Sequence, residues 1–385
     1  MKIVHICLAC FFPDGFSYQE NMLPKFHKQL GYDVEVIASL YTFDKNGNGT
    51  EYKKAESYIN EYKIPVTRLD YKKPKNINRF FKRFIGLKKA LSISKPDIIF
   101  IHGCQFLDIG IIVSYAKSND VKIYVDNHAD FSNSAKNFLS KNILHKIIWR
   151  RCAKKIEPFT KKFYGVMPAR VDFLKEVYRL PEEKCELLVM GADDDLVKSA
   201  SLPQVREKIR KQYGIKDSDF LIMTGGKIDA YKTQTLLLMQ AVKEIKNENV
   251  KLIVFGSVTE ELTEKLKSLC DGKRIMYIGW IESKDSYKYF ASSDLVVFPG
   301  RHSVFWEQVA AQGIPMLVKD WQGTHHIDLG GNVRFLQTDS VTEIKKEILD
   351  ITENKEKYDL MKSVAVNKGM KIFSYKDISM RSIEI

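Results

Sequence analysis

Twelve short apolar runs rich in Ile and Val, separated by amphipathic segments, constrain this 385-residue chain more than any other feature. Six lie in the first half, at 2–8, 33–39, 97–102, 121–126, 163–167 and 186–190. Six lie in the second, at 220–224, 250–256, 274–278, 294–298, 314–318 and 333–336. Near-continuous apolar runs are how strands buried on both faces read. Their alternation with helical patterns such as 259–269 and 283–291 predicts right-handed βαβ units and parallel sheets, an α/β fold. The length exceeds what one ordinary core supports, so two series predict two domains. The polar stretch 191–203 between them reads as a linker. Its Asp193-Asp194-Asp195 run reads as a linker or helix cap, not as metal-binding carboxylates.

The stretch 294–318, DLVVFPGRHSVFWEQVAAQGIPMLV, carries the most specific signal. A buried strand ends in a Pro299-Gly300 turn. Ser303 reads as a helix N-cap, the helix runs over 304–312, Gly313 stops it, and 314–318 begins the next strand. Such a turn places helix N–H groups at the carboxyl end of a parallel sheet, where anions bind. A second turn, Gly225-Gly226-Lys227-Ile228-Asp229-Ala230-Tyr231-Lys232, follows the strand 220–224. Two glycines permit close backbone approach to a ligand, and two lysines flank the turn. Fixed cations of this kind stabilise a diphosphate as it leaves.

These segments resemble the retaining nucleotide-sugar glycosyltransferases of family four. Gln308, Ala311, Gly313 and Pro315 stand where that family has Glu, Ala, Gly and Pro. Lys227 and Lys232 stand where it has Arg and Lys. Two glutamates of the family bracket the Ser303 turn. Counting back from Gly313 puts Gln308 at the later, ribose-binding one, with Glu307 adjacent as a substitute. The earlier one is absent, leaving His302 and Ser303 as candidates for its role. The 13–17 loop, with Gly15, resembles the family's glycine loop. His128, directly after the strand 121–126, stands where the family often has a histidine beside the transferred sugar. Gly279-Trp280 and Phe373-Ser374-Tyr375 complete the resemblance, which covers almost the whole chain.

The resemblance implies a GT-B architecture, two Rossmann-like domains facing across a cleft. The expected divisions are an acceptor-side domain 1–195, a nucleotide-sugar domain 196–365 and a C-terminal helix 366–385 that crosses back. It implies transfer of a hexose-type unit from a nucleoside diphosphate sugar, with retention and without metal or cofactor. The implied acceptor is a glycan or lipid-linked glycan of a cell-envelope polysaccharide. His128, Lys227 and Lys232 are the expected catalytic residues. Gly15, Gly226, Trp280, His302, Ser303, Val304, Glu307 and Gln308 are the expected donor-binding residues. The alternatives are a sugar-nucleotide epimerase on the same plan and a non-catalytic glycosyltransferase-like binding subunit.

A formal charge of +13 is concentrated in the first half. Residues 71–95 hold nine basic residues and no acid; 136–162 hold nine more against Glu157 alone. Phe80, Phe84, Leu87 and Leu91 recur at helical spacing in the first block, and Ile143, Ile147 and Trp149 lie in the second. Such faces suit either packing on the sheet or shallow contact with an anionic membrane. No motif supports nucleic acid. No apolar run reaches the roughly 18–20 residues of a membrane span, and the first residues read as a strand, so a cytoplasmic protein is expected, peripheral at the inner face of the membrane. Cys7 and Cys10 have CxxC spacing without a second pair; with the other four cysteines they read as buried thiols.

Overall fold

A computed structural model describes residues 1–43, 49–230 and 232–383. The chain forms two compact units, Met1–Met190 with Ile378–Ile385, and Gly191–Asp377. The first carries strands β1 (Lys2–Cys7), β2 (Asp33–Ser39), β3 (Tyr41–Phe43), β4 (Gly49–Glu51), β5 (Ser57–Ile59), β6 (Pro65–Leu69), β7 (Ile98–His102), β8 (Lys122–Asn127), β9 (Thr160–Gly165) and β10 (Cys185–Leu187). Eight of these form one sheet in the order β10-β9-β8-β7-β1-β2-β6-β5, parallel except for β5, while β3 and β4 pair as a separate ribbon. The second unit carries β11 (Phe220–Gly225), β12 (Val250–Phe255), β13 (Ile275–Tyr277), β14 (Leu295–Phe298), β15 (Met316–Lys319) and β16 (Val333–Leu336). They form a wholly parallel sheet in the order β13-β12-β11-β14-β15-β16.

Both sheets place β-branched residues in central strands whose two faces are covered. β7 is buried at all five positions and β14 at all four. In both units the strand order reverses beside the first strand of the sheet, between β7 and β1–β2 and between β14 and β11–β12. In doubly wound sheets ligands collect beyond the carboxyl ends at such points.

Several sequence expectations need correction. The stretch 191–203 is not a bare linker: Asp194–Ala200 is helical, and the Asp193 side chain caps it by accepting from Asp195 N at 3.1 Å. The 163–167 run is strand only to Gly165 and begins at Thr160, because Met167 already precedes the helix Pro168–Glu176, with proline in its first turn. β15 starts at Met316, because Pro315 has no N–H for the ladder. The helical stripe at 80–91 is broken. Helix Lys75–Phe80 ends, Phe84 bridges Tyr71, and a second helix runs over Leu87–Ser94. Phe84, Leu87 and Leu91 are buried, whereas Phe80 is 55% exposed.

Candidate active site

The second unit has a pocket at the carboxyl ends of β11 and β14, built from the two turns singled out in the sequence. Gly226, Lys227, Lys232, Ser303 and Val304 line it, with Thr224, Gly300, Arg301 and Phe305. Lys227, Lys232 and Arg301 are its three cations, and among the described residues no carboxylate lines it. Tyr231, between the two lysines, lies outside the described residues. The resulting field favours a multiply charged anion.

Glycine makes the first turn. Gly226 has φ +127° and open space where a Cβ would stand, so the backbone is bare toward the pocket. Gly256, at φ +122°, passes so close that a Cβ there would lie 1.9 Å from the Gly226 carbonyl oxygen. The turn is pinned by Gly226 N to Phe255 O at 3.1 Å and Ile228 N to Ser257 O at 2.8 Å. Lys232 N donates to Asp229 O at 2.8 Å, which returns the second lysine to the pocket.

The second turn differs from expectation. The helix is Phe305–Ala311, and Val304, not Ser303, occupies its cap position without a side-chain hydrogen bond. Ser303 instead accepts Trp306 N at its carbonyl, at 3.0 Å, while lining the pocket. Gly313, at φ +66°, ends the helix as expected, and a Cβ there would meet Val366 Cα at 2.9 Å.

Glu307 is neither an exposed helix-face charge nor a pocket-lining residue. It is fully buried, and its Oε1 accepts from His302 Nε2 at 2.8 Å and His326 Nε2 at 2.9 Å. Burial alone would raise its pKa, but the two imidazoles outweigh it and hold it down to about 2. Gln308 is also buried, and its Oε1 has no hydrogen-bond partner. Trp280 follows Gly279, whose carbonyl accepts Gly256 N at 2.7 Å, and the residue is 68% exposed. Neither it nor His302 lines the pocket. His325, His326 and Asp328 do not converge: His325 pairs with Asp320 at 2.6 Å, His326 with Glu307, and Asp328 accepts from Gly330 N and Gly331 N.

Gly15 and His128 belong to the first unit. Gly15 has φ +78°, open space at its Cβ position, and donates its N–H to Glu61 at 2.7 Å. Asp14 beside it accepts from Tyr58 at 2.6 Å and Tyr52 at 3.1 Å, which fixes the loop. His128 Nε2 stands 3.3 Å from Asp126 and 3.8 Å from Glu20. Burial disfavours its charge, but these carboxylates raise its pKa overall.

Two histidine–carboxylate groups, His102–Asp126–His128 and His302–Glu307–His326, bring their donor atoms within 4.8 Å of one another. Their short contacts are imidazole–carboxylate pairs, and we read them as such, not as metal centres. Sequence reasoning missed Arg301 and the role of Glu307. A cation directly after Pro299-Gly300 was the available signal for the first. Glu307 depends on His326, nineteen residues away, and had no local signal.

Residues 205–367 match the family described as glycosyl transferases group 1. An uncharacterized glycosyltransferase of Methanocaldococcus jannaschii is 22% identical over 158 residues; the match spans 39% of this chain and 40% of that protein. Among solved structures, Anabaena Alr3699/HepE in complex with UDP superposes with a TM-score of 0.71 at 16% identity, over 99% of this chain and 98% of that one. A UDP-GlcNAc 2-epimerase from Neisseria meningitidis, bound to UDP-GlcNAc, superposes at 0.64 and 13% identity, over 99% of each chain. The chain thus has the GT-B fold of two Rossmann-like units, and its residues 205–367 match the glycosyl transferases group 1 family.

Proposed function

We propose that the protein is a retaining glycosyltransferase that moves a hexose-type unit from a nucleoside diphosphate sugar to a glycan or lipid-linked acceptor of a cell-envelope polysaccharide. The observation that carries this reading is the pocket with Lys227, Lys232 and Arg301 and, among the described residues, no lining carboxylate. The donor's diphosphate sits there. As the glycosidic bond breaks, negative charge grows on the leaving phosphate, and three positioned cations lower the barrier. The leaving phosphate takes the acceptor's proton on the same face, so the reaction needs neither a protein nucleophile nor a metal. Gln308 serves the ribose, and Glu307 holds His302 in place beside the turn. In the first unit, the same reading assigns sugar-binding roles to Gly15 and His128. Calorimetry with a panel of nucleoside diphosphates, on wild type and Lys232→Ala, tests the pocket; binding unaffected by the substitution would remove the lysine from it.

We also propose peripheral contact with an anionic membrane through the first unit. Phe138, Leu139, Ile143 and Ile147 are exposed among Lys136, Lys141 and Lys146, and Ile77, Phe80 and Ile85 among Lys73, Lys75 and Arg79. No described helix is long and apolar enough to cross a membrane. A second reading, a sugar-nucleotide epimerase, is kept because the fold likeness extends to such an enzyme. It requires no acceptor, which separates the two.

A further inference from the structure

The first unit buries three histidines in an unbroken line that the proposed reaction does not use. β1 pairs with β7 so that His5 is level with Phe100, and β7 pairs with β8 so that His102 is level with Asp126. That register puts His5, His102 and Asp126 on one face of the sheet. The helix Gln19–Gln29 adds His27, and the segment Ile378–Ile385 adds Ser379 and Ser382. Asp126 Oδ2 lies 2.7 Å from His102 Nδ1, and His102 Nε2 lies 3.0 Å from His5 Nδ1. His5 Nε2 lies 3.0 Å from His27 Nδ1, and His27 Nε2 lies 3.0 Å from the Ser379 carbonyl oxygen. All five residues are fully buried.

Proton counting fixes the polarity of this line. A carboxylate at one end and a carbonyl at the other can only accept. The Ser382 hydroxyl, which donates to the same Ser379 carbonyl at 2.9 Å, accepts from His27 as well. Four gaps therefore need four protons, and three neutral imidazoles bring three. Without a fourth, two lone pairs would face each other at hydrogen-bond distance among fully buried groups, at the full cost of an unsatisfied buried pair. Starting from Ser379, His27 must donate from Nε2 and accept at Nδ1. His5 must do the same. His102 is left donating from both nitrogens, as an imidazolium against Asp126.

We propose that His5, His27 and His102 are positioning residues that store one excess proton beside Asp126, and that the C-terminal segment, through the Ser379 carbonyl, sets that charge state. Asp126 is also the carboxylate nearest His128, so the line controls how much negative charge His128 meets. If the acceptor at the far end is lost, the remaining imidazoles can reverse their tautomers, the line no longer demands the fourth proton, and His102, then held by Asp126 alone, gives up its charge at lower pH. Asp126 is then uncompensated and holds a proton on His128 more tightly. The other titratable groups that act on the line are Cys7 on β1 and Glu20 on the helix. The electrostatics agree with the assignment. Burial works against charge on all three rings, and only His102 overcomes it, held by Asp126 at about 9. His27 is driven down to about 4 and His5 well below its usual value.

This inference rests on His128 as the group beside the sugar, but its test needs neither donor nor acceptor, so the two can fail separately. Ring-nitrogen NMR of the ¹⁵N-labelled full chain near neutral pH should show His102 protonated at both nitrogens, and His5 and His27 at Nε2 alone. A neutral His102 in wild type overturns the proposal whatever the variants do. His27→Phe removes the link to Ser379. It should lower the pH at which His102 loses its charge and raise the His128 titration midpoint by about one pH unit. His27→Asn keeps an acceptor for His5 and should retain the His102 charge. An unchanged His128 midpoint in folded His27→Phe, or loss of the His102 charge in folded His27→Asn, would overturn the coupling.

Discussion

Glu307 shows what one residue contributes here. A fully buried carboxylate is tolerated because two imidazoles donate to it, and the same pairing fixes His302 next to Arg301 and Ser303 of the pocket. Glu307→Gln keeps the shape and an oxygen for both imidazoles, but it removes the charge and places an amide N–H₂ where the buried Oε2 has no partner. Unfolding in urea should show a loss of roughly 1.5–3 kcal/mol, the value of hydrogen bonds to a charged group. The pH dependence has a definite sign. A carboxyl held down to about 2 contributes its full stabilisation above its ordinary 4.5 and loses it as pH falls toward 2. His102, held up at about 9, acts oppositely: its contribution is complete below about 6.5 and is lost as pH rises through 9. Urea midpoints across that range should fall at both ends, and Glu307→Gln should flatten only the acid limb. For the nucleotide, Gln308→Ala should weaken binding more than Glu307→Gln in calorimetric titration; the reverse order would shift the ribose contact to Glu307.

At the scale of elements, tight glycines decide which helices and turns can meet. Gly369 lies on the helix Lys355–Phe373, where a Cβ would stand 1.9 Å from the Ala310 carbonyl oxygen of the helix Phe305–Ala311. Gly369→Ala must separate the two helices and should cost about 1–3 kcal/mol, read from chemical denaturation. Central strands such as β7 and β14 were legible because burial on both faces leaves one chemistry for every position. β6 was not, because PVTRL begins with proline and contains Arg68. That arginine is buried and donates to Phe12 O at 2.7 Å and Ser39 O at 2.9 Å, a tertiary solution with no signature in the strand itself. The helix stripe at 80–91 misled for the reverse reason. Its spacing suits a helix, but Lys82 takes a positive φ of 52° and its ammonium donates to Ala9 O at 2.6 Å, which ends the pattern.

At the scale of the whole molecule, the two turns of the pocket were legible because each combines a strand end, glycine and fixed charge in a few consecutive residues. The histidine line was not, since its members lie on separate elements and only strand register aligns them. The charge of the first unit bears on where the protein works. Many of its cations are already neutralised, Lys72 and Arg83 by Asp108, Arg79 by Glu51. Membrane affinity should therefore come from the exposed apolar residues together with unpaired neighbours, at about 1 kcal/mol per cation near the surface. Flotation with anionic vesicles should recover the protein at low salt and lose it at high salt. Equal recovery with neutral vesicles would refute an anionic membrane contact.

Whether the cationic pocket holds a nucleoside diphosphate sugar for transfer is decided by turnover. The protein is incubated with a panel of such donors, with and without a lipid-linked glycan acceptor, and the released nucleotide and glycosylated acceptor are measured. Nucleoside diphosphate should be released only when acceptor is present, with retention at the anomeric carbon, and at a rate at least about tenfold lower in Lys232→Ala, the consequence of losing a charge-assisted contact of roughly 1.5–3 kcal/mol. Release of a rearranged sugar nucleotide without any acceptor, or full turnover in Lys232→Ala, would contradict it.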